Sequence, residues 1–240
     1  MFYYELHMHS LEGSSCGKSN IHEMIRCYAA AGFQGAVITN HFARGSTAID
    51  RSLPWEDFVK GYAQAYWEGL KTAKELDFDL LFGVEEAWGK GKEFLAYGFE
   101  PEFLLERPQL YRASLETWSR ELRSAGGFLA FAHPFRDRYY ITDPQEMPPV
   151  ELADGVEVYN RGNAQEENWK AEKIFGAKDL ICIAGSDAHR NDVTQPWGIA
   201  LPYRVRTSAQ MAQALKNKDF SLHIPGYQAE NGCTQADAGV

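Results

Sequence analysis

The feature that most constrains this chain is a rhythm. Short, almost wholly apolar runs such as "GAVITNH", "FLAFAH" and "LICIAG" alternate with longer stretches of helical periodicity. Strands that are apolar throughout and joined by helices are buried on both faces, as in a parallel sheet covered by helices. "FYYELHMH" reads as the first strand, followed by the helix "SNIHEMIRCYAAAG". There Asn20 and Glu23 have capping-box spacing and Gly32 is a natural stop. Further along, "PWEDFVKGYAQAYWEGLKTAKEL" is a long helix with Pro54 at its first turn, "FDLLFGVEEAW" and "EFLAYGF" are strands, and "ASLETWSRELRSAGG" is a helix. "GVEVYN", the helix "QEENWKAEKIFGA", "GIALPY", the helix "SAQMAQALKN" and "FSLHI" complete the pattern. Counting to "LICIAG" predicts about seven strands. The expected fold is therefore α/β, a closed or nearly closed parallel barrel. An open doubly wound sheet is the alternative, weakened because no glycine-rich phosphate loop follows the first strand. No linker or repeat divides the chain, so one domain over residues 1–225 and a loose tail over 226–240 are expected.

Polar residues collect at one end of these strands. The first ends in His7 and His9, the second in His41, the third in Glu85, the fifth in His133 and the seventh in Asp187 and His189. In a parallel barrel those ends open on one face, the face that carries active sites. A histidine after a strand is more often a packing residue than a ligand. The same coincidence on five strands is not explained that way. Imidazoles and carboxylates meeting in one cup suit divalent zinc, iron or manganese, and a ligand set without thiolates points to a catalytic rather than a closed structural site. Seven side chains exceed what one tetrahedral ion uses, so two or three ions are expected, with Glu85 or Asp187 bridging. Such clusters generate a metal-bound hydroxide and clamp the attacking and leaving oxygens of an in-line displacement, which suits phosphate ester hydrolysis.

Composition narrows the partners. Lys and Arg total 24 against 33 Asp and Glu, a formal charge of -9, which argues against binding long nucleic acid. Divalent ions would offset that charge locally, so an anionic small molecule stays compatible. The four cysteines, Cys16, Cys27, Cys182 and Cys233, form no C-x-x-C pair and no disulfide framework. The N-terminus lacks a signal-peptide pattern and no apolar run has the length of a membrane span, so a soluble, cytoplasmic protein is expected.

In order and spacing, "LHMHS", "ITNH", "GVE", "AHP" and "GSDAH" resemble the motifs of the PHP (polymerase and histidinol phosphatase) domain, over residues 1 to about 223. The resemblance is closest to small stand-alone bacterial members. It implies a distorted seven-stranded β/α barrel of TIM-like form with a di- or trinuclear metal site, and in many members hydrolysis of phosphate esters. Carried over by motif, His7 and His9 would hold a first metal with Glu85 and Asp187, Glu85 would bridge to a second held by His133, and His41 and His189 would hold a third. Three positions depart from the pattern. The third site lacks its usual Asp or His in "SLEGSSCG", leaving Glu12 as the best substitute and Cys16 as a poorer one. Leu95 stands where many members have a second-metal histidine. Asn40 replaces the usual Asp before the second-strand histidine.

Arg136, Arg161 and Arg44 are the candidates for gripping a phosphate, since a guanidinium binds an oxyanion bidentately. Asp187 or a metal-linked water would manage the proton. His22 and His223 read as structural. The expected activity is metal-dependent phosphoesterase action on a small phosphorylated metabolite or nucleotide. Amide or lactone hydrolysis in the same cup, or a non-catalytic ligand-sensing module, is the alternative. The sequence does not specify an oligomeric state.

Overall fold

The computed structural model describes residues 1–226, so all but the first residue of the expected tail lies outside the described residues. Its elements run, in order, β1 (Phe2–Met8), α1 (Ile21–Ala30), β2 (Gly35–Ile38), α2 (Trp55–Glu75), β3 (Asp79–Gly89) and β4 (Lys92–Tyr97). They continue with α3 (Pro101–Leu105), α4 (Leu115–Ser124), β5 (Phe128–Phe131), β6 (Gly155–Asn160), α5 (Gln165–Phe175) and β7 (Ile181–Gly185), and end with β8 (Gly198–Leu201), α6 (Ser208–Asn217) and β9 (Ser221–His223). The expected capping box is present. Asn20 accepts the Glu23 N–H at 2.9 Å, and the Glu23 carboxylate accepts the Asn20 N–H at 3.1 Å. Pro54 stands one residue outside α2, as its N-cap.

The sheet order is β7-β6-β5-β4-β3-β2-β1-β8-β9. Pairing is parallel from β1 through β2 to β3 and from β5 through β6 to β7. Between these blocks β4 runs antiparallel to both neighbours, and β8 and β9 add an antiparallel edge beside β1. The seven-stranded all-parallel barrel is thereby corrected to a mixed sheet of nine strands. The reason is local: Gly89 to Lys92 is a tight turn, far too short for the crossover that two parallel strands require. The sheet nearly closes where β1 meets the end of β7. His9 donates to the Ala188 carbonyl at 3.0 Å and Asp187 to the His7 carbonyl at 2.9 Å.

Leu6, Val37, Leu81, Leu95, Ala130 and Ile183 come from six different strands yet form one buried cluster, which places them inside the barrel. Helix α6 contributes Met211 and Leu215 to the same cluster. Two further clusters lie between the sheet and the remaining helices, one around Phe42, Phe58, Trp118 and Phe175, the other around Ile21, Ile25, Tyr28 and Phe33. Among the described residues no helix is long and apolar enough to cross a membrane.

Candidate metal centre

Alternation along each strand decides what stands above the apolar interior. Leu81 and Glu85 share one face of β3, so Glu85 ends that inward row. On β4 Leu95 and Glu93 share a face. Because β4 runs the other way, its beginning, not its end, lies beside Glu85; the register pairs Glu85 with Leu95 and Ala87 with Glu93. Thus Leu95 is buried in the apolar layer, while Glu93, two residues earlier, turns its carboxylate into the cup. The histidine that the sequence lacks at position 95 has a carboxylate substitute one step higher on the same face.

Glu85 is the hub. Its Oε1 lies 3.0 Å from His7 Nε2 and 3.2 Å from His133 Nε2, while Oε2 lies 2.8 Å from His41 Nδ1 and 3.3 Å from His9 Nε2. Asp187 Oδ1 stands 3.1 Å from His9 Nε2, 3.4 Å from His7 Nε2 and 3.6 Å from His189 Nδ1. Glu93 reaches His41 Nδ1 at 3.3 Å and His133 Nε2 at 3.6 Å. All seven strand-end residues that the sequence singled out are therefore together, and Glu93 joins them.

Several of these atoms have charge-pair distances without hydrogen-bond geometry. His7 Nε2, His9 Nε2, His41 Nδ1 and Glu85 Oε2 are buried with no hydrogen-bond partner. Buried polar atoms are rarely left so. Four groups of three side chains have ligand atoms within 4.8 Å of one another: His7, His9 and Glu85; His7, His133 and Asp187; His41, Glu85 and Glu93; and His9, His41 and His189. Titration behaviour fits the same interpretation. Burial pushes His7 down, but Asp187, Glu85 and Glu157 outweigh it and hold the ring well above the ordinary histidine range. His41 is likewise raised against burial, by Glu85 and Glu93. His9, by contrast, is lowered to about 3 by burial and by the neighbouring His189 and His41. The carboxylates thus hold protons on imidazoles in the space where divalent cations would sit, and the donor set of five imidazoles and three carboxylates fits such ions.

Outer residues fix these side chains. Glu157, buried in β6, lies 3.1 Å from His7 Nδ1 and accepts the His133 N–H at 3.0 Å, orienting two histidines of the cup at once. Gly185 makes that approach possible, since a Cβ there would meet His7 Cβ at 2.6 Å and Glu157 Oε1 at 2.7 Å. Glu5 accepts the backbone N–H groups of His7 and Ser186, each within 2.9 Å. His133 and Asp187 both have left-handed backbone, with φ of 26° and 54°. Such conformations are costly for residues with side chains and concentrate at functional positions. Asn40 accepts from the Ser10 N–H at 2.7 Å and holds the loop after β1 without adding charge.

The remaining sequence candidates fall in different places. Glu12 is not brought into the cup; its Oε1 accepts the Ile21 N–H at 3.0 Å, at the start of α1. Cys16 is, with Sγ 3.1 Å from His189 Nε2. Burial pushes the Cys16 thiol up, but hydrogen bonds with His189 and His41 outweigh it and bring it down to about 6. Arg136 is buried, its Nη1 2.6 Å from Asp187 Oδ2, and its Nε and Nη2 donate to Asn163 and Asn160. Arg44 stands on the exposed side of the cup, with Nη1 on the Ala113 carbonyl at 3.1 Å. Arg161 faces Asp192 at 3.5 Å, away from the cavity lining. His22 meets Thr72 Oγ1 at 2.8 Å and His223 packs on Tyr3 at 4.3 Å, both remote from the site. The cup opens into a cavity of about 500 Å³, whose outer wall includes Arg44, Tyr139 and Tyr140.

No family model matches the sequence, and no curated protein matches it. Among solved structures, a two-domain protein from Bacteroides vulgatus containing a predicted PHP-like metal-dependent phosphoesterase superposes with a TM-score of 0.64 at 17% identity, over 92% of this chain and 64% of that one. An amidohydrolase from Chromobacterium violaceum with bound sulfate and no metal gives 0.58 at 16% identity, over 92% and 98% of the two chains. A protein from Bifidobacterium adolescentis, provisionally described as a metal-dependent phosphoesterase, gives 0.56 at 15% identity, over 88% and 95%. At these identities the likeness is one of fold. The chain has the barrel-like α/β architecture of PHP-like metal-dependent phosphoesterases, with histidine and carboxylate clusters able to bind divalent metal.

Proposed function

We propose that this chain, built on the PHP-like fold, is a metal-dependent hydrolase that cleaves a phosphate ester of a small molecule. The observation that carries the proposal is the position of Glu85, wholly buried, with each carboxylate oxygen facing two imidazoles. One carboxylate addressing four imidazoles is the arrangement of a bridging ligand between neighbouring ions. Two or three divalent ions held there would supply a water nucleophile at neutral pH and neutralise the charge that builds on a phosphoryl group.

The chain's own residues then divide the work. His7, His9 and Asp187 form one side of the cup, with Glu85 at its centre. His133 and Glu93 close the side toward β4 and β5, and His41 and His189 close the side toward the loops. Glu157 keeps His7 and His133 in place. Burial pushes the Asp187 carboxyl up, but His7 and Arg136 outweigh it and keep it well below the ordinary carboxylate range. A group so acidic is a weak base near neutral pH, so Asp187 serves as a ligand and proton traffic falls to solvent in the cavity. Arg136, held against Asp187, acts as a positioning residue. Arg44 is the arginine suited to meet a substrate oxyanion arriving through the cavity.

The test is hydrolysis of a generic aryl phosphate by chelator-stripped protein after addition of zinc, manganese or iron(II), with aryl amide and lactone substrates in parallel. Metal-dependent release from the phosphate supports the phosphoesterase reading. Turnover of the amide or lactone alone would favour the second reading, which the amidohydrolase neighbour keeps open. Metal binding without turnover of any of them leaves the ligand-sensing module.

A further inference from the structure

We propose that Cys16 is itself a metal ligand, its thiolate joining His41 and His189 in a nitrogen–sulfur site distinct in character from the oxygen-rich remainder of the cup. The proposal rests on the metal-binding reading above and adds a donor of another chemical class to it.

Geometry supports this at three levels. First, Cys16 Sγ lies 3.1 Å from His189 Nε2, and Cys16, His41 and His189 line the same cavity. Second, the rings around it converge: His9 and His189 have centroids 4.2 Å apart, and His9 and His41 4.5 Å. His9, His41 and His189 each offer a ring nitrogen within 4.8 Å of the others. Third, the main chain around Cys16 is fixed to the loops that carry both histidines. Ser15 donates to the Ser46 carbonyl at 2.8 Å in the loop after His41, and Lys18 donates to the carbonyl of His189 itself at 2.7 Å. Gly17 permits the fold-back, because a Cβ there would meet Ser10 and Leu11 backbone atoms at 2.6 Å. A thiol held against His189 by main-chain bonds on both sides of it is placed before any ion arrives, which is what a ligand requires.

The chemical consequence is a division of the cup by softness. Glu85, Glu93 and Asp187 offer hard oxygens, suited to manganese or iron. A thiolate with two imidazoles favours zinc, cobalt or another borderline ion. Coordination balances without redox change: the sulfur–hydrogen bond is replaced by a sulfur–metal bond and one proton passes to solvent.

The experiment is absorption spectroscopy of chelator-stripped full-length protein during addition of cobalt(II). A thiolate-to-cobalt charge-transfer band in the near ultraviolet is expected, growing with the visible bands that report cobalt binding. It should vanish in Cys16→Ser and persist in Cys27→Ser, whose thiol donates to the Val193 carbonyl away from the cup. Visible bands without the near-ultraviolet band, or a band that survives Cys16→Ser, would overturn the proposal while leaving the metal reading intact. A second measurement needs no variant. Zinc should slow iodoacetamide alkylation of Cys16 at least about tenfold, read by peptide mass spectrometry, and an unchanged rate would overturn the assignment. Failure to bind cobalt or zinc at all would instead overturn the metal reading and this proposal together.

Discussion

Arg136 and Asp187 meet inside the protein, Nη1 to Oδ2 at 2.6 Å, with both side chains below a tenth exposed. Two amide oxygens, from Asn160 and Asn163, take other guanidinium hydrogens. The pair therefore holds the Asp187 carboxylate in position at one wall of the cup. Removing one member of such a buried pair costs about 3–5 kcal/mol, because the other charge is left uncompensated. Arg136→Ala is expected to lower the unfolding free energy of the metal-free protein, read from urea titration, by that order, with Arg136→Lys recovering part. For an aryl phosphate substrate, kcat should fall more than KM rises. A rise in KM alone would show that Arg136 binds substrate directly.

Glu93 is predicted to hold an ion through its contacts with His41 and His133. Glu93→Gln should reduce bound metal by about one equivalent per chain in elemental analysis, with an unchanged far-ultraviolet circular dichroism spectrum. Unchanged stoichiometry would assign that carboxylate to hydrogen bonding only.

Metal removal should weaken the fold itself. A ligand at 100 times its dissociation constant stabilises the native state by about 2.7 kcal/mol. For a chain of this size that corresponds to a thermal midpoint about 5–10 °C higher than in chelator. Differential scanning calorimetry with and without chelator measures it, and equal midpoints would contradict metal binding to the native state.

Glu5 gives a pH signature in metal-free protein. Burial pushes its carboxyl up to about 7, against the opposing hydrogen bonds from Ser186 and His7, from an ordinary value of 4.5. The native state therefore holds this proton more tightly than the unfolded chain does. The resulting stability is fully present below the unfolded value and is lost as pH rises through about 7. Across that window the loss attributable to Glu5 is about 3 kcal/mol. Comparing urea unfolding of wild type and Glu5→Gln at pH 5 and pH 8 isolates it. Identical pH dependence in the two proteins would refute the assignment.

Which parts of this site the sequence discloses follows from strand direction. His41, Glu85, His133 and Asp187 are legible because each ends an apolar run that points the same way. Glu93 is not, because it begins a strand whose reversal was hidden in the four residues from Gly89 to Lys92. Glu157 and Glu5 left a fainter sign: each is a carboxylate within an otherwise apolar strand, where burial demands a specific partner. Helix α3 has five residues, too few to display a helical period. Cys16 could be seen only as a residue near the first motif, since its distance from His189 spans 173 positions of sequence.

The site also has an order of completion. Its ligands begin at His7 and end at His189, and the seam that closes the barrel joins the His7 and His9 backbone to Asp187 and Ala188. During synthesis, β1 emerges before β7 and must wait for nearly two hundred residues before its counterpart exists. A nascent chain shorter than that can carry single histidines but no finished cup. Loading with metal in the proposed site is thus tied to closure of this seam, and a chain that stops short of it offers a scavenged ion only a loose and incomplete hold.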